Sequence, residues 1–255
     1  MNRPVIVVQL SDLHVGATWV DMDPVASLTA VIEQVRRLEP SPDAIVLSGD
    51  LAEHGSDSEY EQLAALLDAI EAPRYVLPGN HDDRDALRRH FGAPGAAGTP
   101  VQYAVDLGRL RILMLDSTRA GADTGQFDAE RLGWIESALA DDPGTPTLLA
   151  MHHPPLMTVA PAADAIGFPD ADRAALADLV GRHRNVSLIV AGHLHRAIAG
   201  RLGGCTVLAA PSTYAGFVLD FADDRLRPVV APPGYVVHAF RDGEFASHVE
   251  TLRAG

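Results

Sequence analysis

The chain has 255 residues, 47% hydrophobic and 21% charged, with a formal net charge of −14; this is the make-up of a globular core and excludes disordered, collagen-like and coiled-coil classes. All 20 basic residues are arginine, which rules out Schiff-base chemistry and a phosphate-loop lysine, and the acidic balance disfavours surfaces for nucleic acid or anionic membranes, which need clustered cations. The single cysteine, Cys205, forbids an intrachain disulfide and any metal site built from several thiolates.

Met1-Asn2-Arg3-Pro4 leads straight into an apolar run over 5–10, with no signal-peptide core, and no apolar stretch exceeds strand length. A soluble cytoplasmic protein without a membrane span is expected. The run 5–10 reads as a buried strand. A helix is predicted over 23–38, opened by Asp23-Pro24 as cap and first-turn proline. A strand over 44–47 and a helix over 57–70 follow, then a strand over 75–77 and a helix over 82–91. Residues 93–100 form a loop, and 102–107 with 111–116 form a hairpin turning at Gly108-Arg109. A helix over 128–140 starts at Asp128-Ala129-Glu130 and precedes a strand over 147–151. A loop over 160–169, a helix over 171–183 and a strand over 187–191 come next. The runs 206–210 and 218–221 read as adjacent strands, 227–234 as a loop and 235–240 as a late strand. Strands alternating with amphipathic helices, plus hairpins, give an α/β fold with substantial antiparallel content. One domain is expected over 1–255, with 211–255 as a β-rich extension.

Five polar motifs each follow directly on an apolar run: Asp12-Leu13-His14, Gly49-Asp50, Gly79-Asn80-His81-Asp82, His152-His153 and Gly192-His193-Leu194-His195. In open α/β sheets the carboxyl ends of strands form the crevice that binds ligands, so these distant segments are expected to meet. In Asp12-Leu13-His14 and His193-Leu194-His195 the polar residues are two apart, which in extended chain points both to one side and the Leu to the other. Asp12, His14, Asp50, Asn80, His152, His193 and His195 are candidate metal ligands, with His81 and His153 in reserve. A first-row metal takes about four to six ligands, so seven suit two ions sharing one. Nitrogen and oxygen donors without sulfur favour zinc, manganese or iron over magnesium or calcium. Taken singly each motif is weak: Asp-x-His fits a loop turn, Gly-Asn-His a type I′ turn, and His-His-Pro-Pro a strand end. Their joint occurrence at strand ends of one chain argues against coincidence. His54, His90, His183 and His248 have no partnering motif and are expected at the surface or at helix ends, while His238 is left undecided.

The ordered set Asp-x-His, Gly-Asp, Gly-Asn-His-Asp, His-His-Pro-Pro and Gly-His-x-His resembles the calcineurin-like metallophosphoesterases. Gly79-Asn80-His81-Asp82-Asp83-Arg84 and Met151-His152-His153-Pro154-Pro155 resemble the bacterial branch of class III cyclic nucleotide phosphodiesterases and glycerophosphodiesterases. The likeness runs from about Val5 to Pro211 and includes the segment Asp116 to Gly121. It implies a four-layer αββα sandwich of two mixed sheets. It further implies that Asp12, His14 and His195 hold one divalent metal, that Asn80, His152 and His193 hold the other, and that Asp50 bridges them. By the same resemblance His81 contacts the substrate phosphate and assists the leaving group, with Asp82 placed to orient or charge it. Members are often dimers or larger, so self-association is expected.

Two such metals would acidify a shared water, whose hydroxide attacks phosphorus in line with the leaving alkoxide of a small phosphodiester. No Gly-x-Ser-x-Gly elbow occurs and Cys205 lies outside every motif, so a protein nucleophile is disfavoured. Alternatives are a phosphomonoesterase or nuclease of the same superfamily, or a metal-binding scaffold for protein interactions without turnover. The phosphoprotein phosphatases place Arg after Gly-Asp and use Gly-Asn-His-Glu, which this chain does not match, and the net charge weighs against a nuclease or a stable nucleic-acid complex. Trp19, beside the first motif, is a candidate for the substrate rim. Arg84, Arg119 and Arg196 are the cations nearest the motifs in sequence.

Overall fold

The computed structural model describes residues 3–252; Met1, Asn2 and the last three residues of the 211–255 extension lie outside them. β1 (Val5–Leu10), α1 (Pro24–Val35), β2 (Ala44–Ser48), α2 (Asp57–Leu67) and β3 (Arg74–Leu77) form two successive parallel crossovers. α3 (Arg84–Phe91) leads to the predicted hairpin of β4 (Tyr103–Asp106) and β5 (Arg111–Leu115). α4 (Ala129–Asp141), β6 (Thr147–Met151), the short α5 (Pro161–Ala165), α6 (Asp170–Arg182) and β7 (Val186–Ala191) resume the alternation. Strands follow: β8 (Ile198–Leu202), β9 (Cys205–Ala209), β10 (Ala215–Phe217), β11 (Pro228–Val230), β12 (Gly234–Arg241) and β13 (Glu244–Thr251).

Helix starts follow from local chemistry. Asp23 accepts from the Val25 amide, and Asp128 from that of Arg131. Ser56 and Glu59 form a reciprocal capping box on α2. α3 begins two residues later than the predicted 82–91 because Asp83 is its cap and Asp82 is turned inward.

Two mixed sheets result, ordered β13-β12-β1-β2-β3 and β4-β5-β6-β7-β9-β8. Strand alternation assigns each sheet two apolar faces. Val5 and Val7 of β1, Ala44 and Val46 of β2, Ile112 and Met114 of β5, and Leu148 and Ala150 of β6 meet in one layer between the sheets. Val8, Leu10, Ile45 and Leu47 face the other way, against Leu28, Val31 and Ile32 of α1 and Leu63 and Leu67 of α2. Leu113, Leu115, Leu149 and Met151 pack against Ile135 and Leu139 of α4 and Leu176 and Leu179 of α6. The order helix, sheet, sheet, helix is the expected αββα sandwich. Each fully buried Leu, Ile or Val contributes about 1.5–3 kcal/mol, so the layers are strongly defined.

Three expectations need correction. Residues 160–169 contain α5, opened by Pro161 at its first turn. The run 206–210 pairs with β8 through a turn at Gly203-Gly204, and with β7, rather than with 218–221. Val218, Leu219 and Phe221 are instead exposed on the connection between β10 and β11, so apolar content there does not signal a buried strand. β11 falls within the expected loop 227–234. β13 escapes sequence reading because it is an edge strand, exposed at almost every position, with no alternation of polarity. No helix of the described residues is long and apolar enough to cross a membrane.

Candidate metal centre

The carboxyl ends of β1, β2, β6 and β7 meet at one edge of the sandwich. Gln9 of β1 marks the junction: its buried amide donates to Ser48 Oγ at 2.8 Å and, across the layer between the sheets, to the Ala191 carbonyl at 2.8 Å. Beyond these points the chain turns sharply. Asp12, His14, Asp50, His193 and His195 have φ of 53°, 46°, 50°, 70° and 52°, a left-handed conformation that costs L-residues of this kind about 1 kcal/mol or more each. The two-residue spacing therefore works through left-handed turns and not through extended chain as expected, while Leu13 is fully buried in the core.

Hydrogen bonds hold these turns. The first two loops run side by side, with Asp12 N donating to Gly49 O at 3.0 Å and His14 N to Asp50 O at 2.9 Å. The Asp12 carboxylate accepts from His193 N at 2.9 and 3.0 Å, and Asp50 Oδ1 accepts from His81 N at 3.0 Å. The motif glycines permit this approach. A Cβ on Gly79 would collide with Asp50 Oδ1, and one on Gly192 would collide with Ser11 Oγ and lie 2.8 Å from Asp12 Oδ2.

The imidazoles are oriented so that one nitrogen of each is tied. His14 Nδ1–H donates to Glu53 Oε2 at 2.8 Å, His152 Nδ1–H to Ser48 O at 2.9 Å, His193 Nε2–H to Ile166 O at 3.0 Å, and His195 Nδ1–H to Ala215 O at 2.8 Å. The remaining nitrogens meet in pairs, His14 Nε2 with His195 Nε2 at 3.1 Å and His152 Nε2 with His193 Nδ1 at 3.2 Å. A donor bond on one nitrogen that leaves the other as a lone pair is the arrangement of metal-ligating histidine. Asp50 lies between the pairs, with Oδ2 at 3.6 Å from His14 Nε2 and 3.3 Å from His152 Nε2. Asp12 Oδ1 is 3.6 Å from His195 Nε2, and Asn80 Oδ1 is 3.1 Å from His152 Nε2. The seven predicted ligands thus converge, and they fit divalent metal.

All but Asn80 are buried, and burial acts on each shifted group among them. It lifts Asp12 to about 6, with Asp50 adding to the rise. For Asp50 burial acts upward too, but His152 and His14 outweigh it and hold the carboxyl well below the usual range. Burial pulls the His152 imidazolium down, yet Asp50 and Asp12 bring it up to about 9. His193 falls to about 3 through burial and the charge on His152. The cluster thus balances buried negative charge with positive charge, a role a cation fills as well as a proton.

Other predicted residues take different places. His153 lies near His152 and His193, but its Nδ1 meets Ser117 Oγ at 2.9 Å and its Nε2 the Asp123 carbonyl at 3.1 Å, so neither nitrogen is free. The Asp82 carboxylate makes no hydrogen bond to His81, so it does not orient it directly; burial opposes the His81 imidazolium, but the charges of Asp50, Glu53 and Asp82 raise its pKa. Asp82 accepts from the amides of Leu51, Ala52 and Gly79 and from the Tyr60 hydroxyl at 2.9 Å, locking the Gly-Asp loop to the Gly-Asn-His loop. His81 donates from Nδ1 to the Glu53 carbonyl at 2.9 Å, leaving Nε2 without a partner among the described residues. Glu53, absent from the sequence-based set, is therefore a hub: its carboxylate takes His14 Nδ1–H and Trp19 Nε1–H, each at 2.8 Å, and its carbonyl takes His81. Its signal in sequence is only its place three residues after Asp50.

An open cavity over the cluster is bordered by His81, Asn80 and Asp123 and by the apolar side chains of Trp19, Ile166, Phe217 and Leu226. None of its lining residues is arginine. Arg84 is committed to Asp116 at 2.6 and 3.2 Å, and Arg196 donates to the Phe217 carbonyl at 2.7 Å. Arg119, which is exposed, lines the adjoining cavity beyond Asn80.

Residues 6–197 match the family model of the calcineurin-like phosphoesterases. A probable glycerophosphodiester phosphodiesterase of Arcobacter nitrofigilis is 30% identical over 247 residues, covering 91% of this chain and 88% of its own. A 3′,5′-cyclic adenosine monophosphate phosphodiesterase of Pseudomonas aeruginosa is 32% identical over 235 residues, covering 89% and 84%. Among solved structures, a dimetal phosphatase from Danio rerio superposes with a TM-score of 0.72 at 15% identity over 99% of this chain and 100% of that one, a likeness of fold.

Proposed function

Because this chain belongs to the calcineurin-like phosphoesterase family, we propose that it is a dinuclear-metal phosphodiesterase acting on small phosphodiesters, the cyclic nucleotides or glycerophosphodiesters for which its relatives are named. The observation that carries this reading is the pair of facing nitrogen couples, His14 with His195 and His152 with His193, on either side of Asp50. Asp12, His14 and His195 would hold one ion, Asn80, His152 and His193 the other, with Asp50 between them. The nitrogen and oxygen donors suit manganese, iron or zinc. When bound, two such ions lower the pKa of a shared water and neutralise phosphoryl oxygens.

The chain's own residues supply the rest. His81, anchored through Nδ1 on the Glu53 carbonyl, offers Nε2 to protonate the leaving oxygen. In the reaction the water gives up a proton to solvent and its oxygen bonds to phosphorus, the P–O bond to the leaving group breaks, and the departing oxygen takes the Nε2 proton of the His81 imidazolium, which solvent then reprotonates, giving a monoester and an alcohol. Asp82 acts indirectly, by fixing the loop that carries Asn80 and His81. A cytoplasmic setting and self-association complete the reading, the former in keeping with a lone buried cysteine.

Preference for diesters over monoesters follows from the shortage of cations. A monoester carries close to two negative charges at neutral pH and a diester one, while this cavity has no arginine in its lining and the chain has no lysine. Catalytic efficiency on bis(p-nitrophenyl) phosphate should exceed that on p-nitrophenyl phosphate under one metal and pH. Faster monoester hydrolysis would defeat the assignment.

A further inference from the structure

The apolar side of the cavity is built by the pairing of β10 with β11. Phe217 ends β10 and Leu226 lies on the connection to β11, and both border the cavity with Trp19 and Ile166. All four are half-buried, so each retains apolar surface that water satisfies poorly. Phe217 is fixed at two points: its carbonyl accepts from Arg196, and its ring lies 4.6 Å from the imidazole of His195. Trp19 is fixed by its bond to Glu53. The two aromatic rings are 16° from parallel, with centroids 6.1 Å apart. Past Phe217 and Leu226 the apolar surface continues into a crevice lined by Leu194, Ile198 and Leu219.

The four side chains of this wall are apolar or, for Trp19, already bonded to Glu53, whereas hydrogen-bonding groups of the lining, Asp123 in the cavity and Thr158, Asp220 and Arg225 in the crevice, belong to other residues. Held aromatic faces lose little entropy on binding and favour a flat π-system over a flexible chain. We propose that Phe217, flanked by Trp19 and Leu226, seats the planar base of a nucleotide, so that nucleoside cyclic phosphodiesters are preferred over glycerol diesters. The proposal rests on the phosphodiesterase reading above.

Phe217→Leu keeps apolar volume but removes the flat face, and Phe217→Tyr keeps the face. With cyclic AMP and glycerophosphoethanolamine as substrates, wild type should favour the nucleotide, and Phe217→Leu should raise its KM roughly tenfold. The KM for the glycerol diester should rise markedly less than that for the nucleotide, with metal retained, and Phe217→Tyr should restore the nucleotide KM. Should Phe217→Leu lose metal, Leu226→Ser on the same wall tests the same split. A wild-type preference for the glycerol diester, equal rises on both substrates, or a preferred lysophospholipid whose KM ignores Phe217→Leu would overturn the seat. Binding of 5′-AMP, followed by Trp19 fluorescence in a Trp134→Phe background, separates this failure from that of the activity. Binding weakened by Phe217→Leu without turnover of any diester would uphold the seat and sink the catalytic reading, and binding indifferent to the substitution would overturn the seat.

Discussion

His14 and His195 face each other through Nε2 atoms 3.1 Å apart, while the Nδ1–H of each is given to Glu53 and to Ala215. With both rings neutral the two lone pairs would oppose each other at that distance, so the couple needs a positive charge, a proton or a cation, between its nitrogens. The same geometry recurs between His152 and His193 at 3.2 Å, and Asp50 approaches both couples. The left-handed turns that create these couples are strained, and the hydrogen bonds between the first two loops and from His193 N to Asp12 hold them.

Elemental analysis of metal-replete protein should therefore approach two transition-metal ions per chain, and a firm limit of one would refute the bridging role of Asp50. Free metal at about 100 times its dissociation constant stabilises by about 2.7 kcal/mol per site, so two sites in a chain of this size raise Tm by roughly 10–20 °C over chelator-treated protein. Asp50→Asn should abolish most of that shift, whereas Asp12→Asn should reduce it in part.

The adjacent histidines should separate cleanly. His152→Ala removes a nitrogen that faces both Asp50 and His193, and should lower metal content and abolish turnover. His153→Ala should keep the metal but cost about 1–3 kcal/mol of stability, because the buried Ser117 hydroxyl loses its imidazole partner. Equal metal loss in both variants would contradict the assignment.

The strand-end motifs were legible in sequence because apolar runs bury strands, and strand ends in such sheets converge on one crevice. The layers were legible for the same reason: β1, β2, β5 and β6 are apolar on both faces, as strands covered on both sides must be. What sequence did not disclose depends on side-chain direction. Glu53 carries no motif signature, and its role emerges only because the β2 loop brings its carboxylate beside His14 and its carbonyl beside His81. Asp82 adjoins His81 in sequence, yet the turn from β3 to α3 aims its carboxylate at three backbone amides. The β-rich end was legible only where burial alternates, in β12, and not in the exposed edge strand β13.

His238, left undecided by sequence, is fully buried between Gln9 Oε1 at 3.2 Å and Ser247 Oγ at 2.8 Å. Burial depresses its pKa from the usual 6.5 to about 3. The unfolded chain then binds a proton below pH 6.5 that the folded chain refuses, so stability present above pH 6.5 is lost as pH falls toward 3, by up to about 1.4 kcal/mol per pH unit. Between pH 6.5 and 5, chelator-treated wild type should lose about 2 kcal/mol more than His238→Gln in urea denaturation. Other histidines titrate in both proteins and cancel in the difference. Equal losses would show that His238 is not held neutral by the fold.

His81 differs from the converging histidines in having one nitrogen anchored on a carbonyl and the other, beside the cavity, without a partner among the described residues. Its removal should leave metal content intact, since none of the facing couples includes it. If its function is to protonate the leaving oxygen, the loss must depend on the leaving group. An alkoxide departs poorly without a proton, whereas p-nitrophenolate departs readily without one. His81→Ala should therefore lower kcat/KM for alkyl diesters by roughly 100-fold or more and for bis(p-nitrophenyl) phosphate by markedly less. Uniform loss across leaving groups would instead make His81 a positioning residue that orients the phosphate, with the proton coming from solvent.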